Sequence, residues 1–158
     1  MKLFRSIAYI GLLGVASHYI GEDIPRRLFK PEKFPYKSYR WEKNGKIYEH
    51  LSIRKWKTRV PDMSKVMTDM LPKRVTAGMT SADIDALIKE TCVAEFVHKT
   101  LMFLSAGVYF IWDNAVGVVL AAVCVLSNLP FVLIQRYNRP NLIRLRDKLI
   151  LREERRGL

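Results

Sequence analysis

The sequence predicts an all-α integral membrane protein with about three membrane-embedded helices and a basic, partly interfacial cytoplasmic segment. Two observations carry this expectation. Apolar residues gather in three runs, centred on 7–20, 93–112 and 115–135. Lys and Arg gather between and after those runs, so a chain that is 49% hydrophobic still has a net charge of +12. That segregation is the pattern of apolar spans flanked by cations at a lipid surface. A length of 158 residues allows a single membrane domain, 1–158. A basic balance also fits nucleic acid, but no helix-turn-helix, zinc-ligand or stacking motif accompanies it, so no nucleic-acid partner is expected. Cys92 and Cys124 lie in or beside apolar runs without a Cys-x-x-Cys, which argues against a disulfide scaffold or a structural zinc.

The first span is placed at 1–21. Lys2 and Arg5 lead into an apolar stretch from Ile7 to Ile20, an outline shared with signal peptides, and Val15-Ala16-Ser17 is a passable cleavage context. Gly14, Ser17 and Gly21 form a small-residue edge suited to close helix packing, and the segment is read as a membrane helix.

Residues 22–92 carry sixteen Lys/Arg against ten Asp/Glu, an excess that marks a cytoplasmic, partly interfacial segment. Phe29, Phe34, Tyr36, Tyr39 and Trp41 interleave with the cations, as amphipathic rings do at the headgroup layer; the alternative is a solvated loop whose rings pack on the protein. Asn44-Gly45 signals a turn. Arg54, Lys55, Trp56 and Lys57 set cations around a tryptophan, a cluster that can grip phosphates or simply be a solvated face. Thr80-Ser81-Ala82-Asp83 reads as a helix start capped by Thr80 or Ser81, running through Ile84, Leu87 and Ile88.

The second span, 93–112, opens with Ala94-Glu95-Phe96-Val97-His98-Lys99 and has no further charge until Asp113. About twenty residues at ~1.5 Å each match a bilayer core of ~30 Å. Glu95 and His98 share a helical face with Thr91, Met102, Ser105 and Tyr109. An acid and an imidazole there are costly, hence a functional-site hypothesis; alternatively they mark the interface, with Glu95 paired to Lys99. Asp113-Asn114 turns the chain into a third span, 115–135, followed by a basic tail, 136–158.

The hairpin tip has no Lys or Arg while its flanks are basic, so 22–92 and 136–158 are expected in the cytoplasm of a multi-pass cell-membrane protein. Folding about the tip sets His98 level with about Leu129 and Glu95 with about Val132. Asn128 and Gln135 then look towards them, Arg136 lies just beyond, and His18 reaches the same level. Pro130 frees the Leu126 carbonyl and can kink the span. A histidine oriented by a carboxylate can act as general base towards a hydroxyl, and Arg136 and Arg139 can bind phosphate or an oxyanion. This permits acyl transfer. A metal-dependent lipid oxidase would use Glu95 and His98 as ligands, but di-iron bundles need Glu-x-x-His twice. A non-enzymatic scaffold, with polar residues fixing helix packing, remains open at this point.

Further motifs carry a resemblance. Trp41-Glu42-Lys43-Asn44-Gly45-Lys46, Ile53-Arg54-Lys55-Trp56-Lys57 with Asp62, and Glu90-Thr91 followed by Ala94-Glu95-x-x-His98 occur in order. Asn128-x-Pro130 leads into Gln135-Arg136-Tyr137-Asn138-Arg139-Pro140. From about residue 20 to the tail, the chain resembles the glycosyl-4,4′-diaponeurosporenoate acyltransferase family of staphyloxanthin-type carotenoid glycolipid synthesis. The resemblance implies a membrane O-acyltransferase that moves a fatty acyl group from a thioester donor, acyl-CoA or another, to a sugar hydroxyl of a membrane glycolipid. No cofactor beyond that co-substrate is implied, and the oligomeric state is left open. The residues themselves give His98 and Glu95 as the catalytic pair, with Arg54, Lys55, Trp56, Lys57, Asn128, Gln135, Arg136, Asn138 and Arg139 as substrate-binding candidates.

Overall fold

A computed structural model describes residues 1–60, 75–76 and 78–157. Asp62 of the resemblance lies outside the described residues. Among these, the chain is helical: α1 spans Lys2–Asp23, α2 is the single turn Ile53–Trp56, α3 spans Ser81–Ser105, α4 Val108–Trp112 and α5 Ala115–Arg156. Three 3₁₀ turns, Arg26–Leu28, Arg40–Glu42 and Lys46–Glu49, fold the basic segment. The contacts divide into two units, Met1–Pro25 with Val93–Val132 and Arg26–Cys92 with Leu133–Leu158.

In the first unit α1 lies antiparallel to α3 and α4. Lys2 Nζ donates to the Trp112 carbonyl at 3.3 Å, Trp112 Nε1 to Ser6 Oγ at 2.8 Å, and the Tyr9 hydroxyl to the Leu104 carbonyl at 2.8 Å. At the other end Gly21 faces Val97, where an added Cβ would stand 3.3 Å from a valine methyl. α1 stops at Ile24, extended at φ −66°, ψ 125°, as the residue before Pro25 prefers to be. The run 93–112, expected as one span, is divided: α3 ends at Ser105 and α4 begins at Val108. The break falls where the Tyr9 hydroxyl takes the Leu104 carbonyl at the end of α3, and Gly107 has no side chain to obstruct it. Asp113 closes α4 in the left-handed conformation, and Asn114 Oδ1 accepts the Val116 N–H at 3.0 Å to cap α5.

Burial in this unit is inverted. Ser6, Gly21, Glu95 and Ser105 are inside, while Phe4, Leu12, Phe103, Phe110, Val119 and Leu126 are exposed. So large an apolar surface is foreign to a water-facing protein and suited to hydrocarbon. Two helices, Lys2–Asp23 and Ala115–Arg156, are long and apolar enough to cross a membrane. Together these features associate the chain with a membrane.

The second unit has an ordinary apolar core. Thr80 and Asp83 form a reciprocal capping box, Thr80 N–H to Asp83 Oδ2 at 2.8 Å and Asp83 N–H to Thr80 Oγ1 at 3.2 Å, where the sequence placed a helix start. Ile84, Leu87 and Ile88 of α3 then pack against Leu142, Ile143, Leu145 and Leu149 of α5. Arg26–Glu90 at 2.7 Å and Arg146–Asp85 at 3.1 Å flank that seam. A second cluster joins Tyr48 and Ile53 to Tyr137. Gly45, at φ +86°, lies against α5 so closely that a Cβ would stand 3.3 Å from the Tyr137 carbonyl. α5 continues through Pro130 and Pro140 without interruption, although an interior proline costs about 3 kcal/mol; around Pro140 the apolar clusters at 133–137 and 142–149 help to hold it. The third span and the basic tail are thus one helix of 42 residues.

Candidate active site

In the first unit His98 projects from α3 onto α5. Its ring stacks on Phe131 with centroids 4.4 Å apart and planes at 10°, and Nδ1 lies 2.9 Å from Asn128 Oδ1. The fold-back register, which set His98 level with about Leu129, corresponds to this position. Asn128 Nδ2 donates to the Cys124 carbonyl at 3.0 Å, which orients the amide with Oδ1 towards the imidazole. An amide oxygen can only accept, so His98 Nδ1 carries the proton and the neutral ring has its lone pair at Nε2. Glu95, one turn earlier, is fully buried and accepts from Lys99 Nζ at 2.5 Å.

In the second unit, Arg136 and Arg139 are both buried. Arg136 makes a fork on Glu42, Nε to Oε1 at 2.5 Å and Nη2 to Oε2 at 2.6 Å. It also donates to the carbonyls of Pro35 at 2.9 Å and Lys37 at 3.1 Å, with the Tyr39 ring 4.4 Å away. Glu42 accepts further from the Tyr48 hydroxyl and from the Tyr39 N–H at 2.6 Å. Burial alone would raise the Glu42 carboxyl, but the Arg136 and Tyr48 hydrogen bonds outweigh it and hold the group below its ordinary range. Burial, and then Glu42, raises the Tyr48 phenol. Arg139 donates to Thr91 Oγ1 at 2.8 Å, the Thr91 carbonyl at 2.9 Å and the Tyr36 carbonyl at 2.7 Å.

The cationic cluster at α2 is tied to α5 as well. Arg54 Nε donates to the Tyr137 hydroxyl at 2.9 Å and Lys57 Nζ to Asn138 Oδ1 at 2.9 Å, while Trp56 Nε1 donates to the Leu51 carbonyl at 2.9 Å. Burial, with Arg54 nearby, lowers the Lys57 ammonium below its usual range. Lys55 is exposed and Gln135 buried. The structure therefore brings His98 together with Asn128 in one unit, and Arg54, Lys57, Tyr137 and Asn138 together in the other.

The sequence profile of the glycosyl-4,4′-diaponeurosporenoate acyltransferases matches residues 31–148. The chain belongs to this family. It is an acyltransferase, and curated relatives of that name are similar to it along most of their length. The protein of Staphylococcus aureus strain bovine RF122 / ET3-1 is 29% identical over 137 residues, 86% of this chain and 82% of the relative. That of strain MRSA252 is 29% and that of strain N315 28% identical over the same span. No solved structure matches the chain. The matched part of the acyltransferase contains Glu42, His98, Asn128, Arg136 and Arg139 and leaves out α1. Sequence reasoning gave no site role to Glu42 or Tyr48 and placed Tyr36 only among the rings of the headgroup layer. The one available signal was a lone acid between Arg40 and Lys43 inside a recognised motif.

Proposed function

We propose that this acyltransferase moves a fatty acyl group from a thioester donor to a sugar hydroxyl of a membrane glycolipid, with His98 as general base. The observation that carries the reading is the imidazole set by Asn128, which puts the ring's lone pair at Nε2. Nε2 takes the proton of the acceptor hydroxyl as its oxygen attacks the thioester carbonyl. The tetrahedral intermediate collapses by breaking the carbon–sulfur bond, and the imidazolium returns the proton to the departing thiolate. The products are an ester and a free thiol. Glu95, buried one turn away and paired with Lys99, is the second member of the proposed catalytic pair. Lys55 and Trp56, the surface formed by Arg54, Lys57 and Asn138, and the cationic wall of Arg136 and Arg139 beside Gln135 serve substrate binding. The relatives' name specifies a glycosyl compound as acceptor, which supports a sugar hydroxyl here. Lipid profiling of membranes with and without the protein tests the reading: one glycolipid is expected to gain an acyl chain. An unchanged profile overturns it.

The same reading places 93–112 across the membrane as a broken second span, with α1 and the apolar part of α5 as the first and third, and the basic segments in the cytoplasm. The Lys2–Trp112 contact supports putting the start of α1 on the same side as the hairpin tip, and the basic flanks on the other side argue for that side being external. A tag before Met1 is expected to be external and one after Leu158 cytoplasmic. Protease protection that finds the Asp113-Asn114 tip in the cytoplasm would reverse the orientation.

A further inference from the structure

The second unit contains a cavity of about 310 Å³ bordered by Arg136 and Arg139. Four cations line it, Lys37, Arg136, Arg139 and Arg144, against the single carboxylate of Glu32. Ser38 and Asn44 add a hydroxyl and an amide to its wall. The Ser38 hydroxyl oxygen is buried and has no hydrogen-bond partner among the described residues. A buried donor left unsatisfied is costly, and Ser38 belongs to the lining of this cavity, where an occupant that its hydroxyl turns to meet would relieve that cost. The positions of Arg136 and Arg139 are fixed by Glu42, Thr91 and main-chain carbonyls, so two walls of the cavity are rigid before anything binds, with the Arg136 charge offset in part by Glu42. Lys37 and Arg144 are exposed at the surface and can close on an occupant. Cavities that hold drug-sized ligands begin at about 300 Å³, so this one fits a headgroup-sized fragment rather than a whole nucleotide thioester.

We propose that this cavity is a phosphate site, holding a phosphate or diphosphate group by Lys37, Ser38 and Arg144 over the fixed guanidiniums of Arg136 and Arg139. A neutral sugar would gain little from four cations, whereas a phosphate is attracted by their charge, and its oxygens can accept from Lys37, Arg144 and the Ser38 hydroxyl. The group is the phosphate end of the acyl donor or the phosphate of a lipid headgroup. The first source rests on the thioester reading above, and the second does not.

Binding of inorganic pyrophosphate to the purified, detergent-solubilised protein tests the site directly. Lys37→Gln combined with Arg144→Gln is expected to weaken binding about tenfold or more, and Arg155→Gln, at the exposed end of α5, to leave it unchanged. Ser38→Ala gives a signature that a structural residue would not. It weakens pyrophosphate while leaving thermal stability equal or higher, because it removes a hydroxyl that has no partner. Equal pyrophosphate affinity in the wild type and the double variant overturns the proposal, as does a Ser38→Ala protein that loses stability. Transfer assays then separate the sources. A rise in KM for acyl-coenzyme A, with KM unchanged for the phosphate-free acyl-N-acetylcysteamine, assigns the donor. Unchanged KM for both, with pyrophosphate binding lost, assigns a lipid phosphate. If neither thioester is a substrate, the thioester reading fails while the pyrophosphate result stands.

Discussion

His98→Ala is expected to lose about 10²–10⁴-fold in acyl transfer per folded molecule, the usual contribution of a positioned base. The protein still inserts and folds, because the stacked ring lies half-buried at Phe131 rather than in a core. Asn128→Ala removes the acceptor that keeps the proton on Nδ1 and is expected to cost less than His98→Ala, since the ring remains. Glu95→Gln is expected to be milder too, keeping the hydrogen-bonding oxygen but not the charge. The double variant His98→Ala, Glu95→Gln is expected to be little worse than His98→Ala alone, because residues acting as one unit are not additive. A purely structural role makes the opposite forecast, with lower melting temperatures and unchanged turnover per folded molecule. Full specific activity in His98→Ala would end the proposal and turn the search to His18.

Glu42→Ala is expected to destabilise the protein by about 3–5 kcal/mol, the usual cost of removing one partner of a buried ion pair. In a chain of this size that corresponds to a melting point lower by roughly 6–20 °C. Arg136→Lys is expected to lose stability as well, because one ammonium cannot replace a fork on Glu42 together with donors to the Pro35 and Lys37 carbonyls. The pair also gives stability a sign with pH. The folded Glu42 carboxyl titrates below its unfolded value of 4.5, so its contribution is fully present above about pH 4.5 and is lost as pH falls through the folded value. Glu42→Gln is expected to remove that part of the acid sensitivity. An unchanged melting point in Arg136→Lys with a raised donor KM would return Arg136 to substrate binding alone.

Local spacing made part of this molecule readable. Thr80 and Asp83 are three residues apart, and a capping box needs only that. Asp113-Asn114 is a turn by its own chemistry, and once it is placed, counting along two helices brings His98 level with about Leu129, beside Asn128. What could not be read depends on partners distant in the chain. Glu42 meets Arg136 across 94 residues, and Arg139 meets Thr91 across 48. The arginines were legible as cations, but their burial was not, because it depends on the carbonyls of Pro35, Tyr36 and Lys37 being folded back over α5. The break at Gly107 was hidden for the same reason, since the Tyr9 hydroxyl that meets the end of α3 there is distant in the chain. Nor do Pro130 and Pro140 announce that α5 runs on through them, and the side chains that help to hold it around Pro140 come in part from elsewhere in the chain.

The polar contacts along α1 also set a timetable for biogenesis. Lys2, Ser6 and Tyr9 find their partners 110, 106 and 95 residues further on. At a synthesis rate of about 5–20 residues per second, α1 waits roughly 5–20 s for them after it is made. Through that interval its serine and tyrosine hydroxyls must be satisfied by α1's own backbone, by water at the translocation machinery, or by lipid headgroups. Ser6 does this with its own helix, donating to the Lys2 carbonyl at 3.1 Å, and so does Ser17 to the Gly14 carbonyl at 2.8 Å. Tyr9 has the longer reach and can be satisfied first, because the Leu104 carbonyl is made before Trp112.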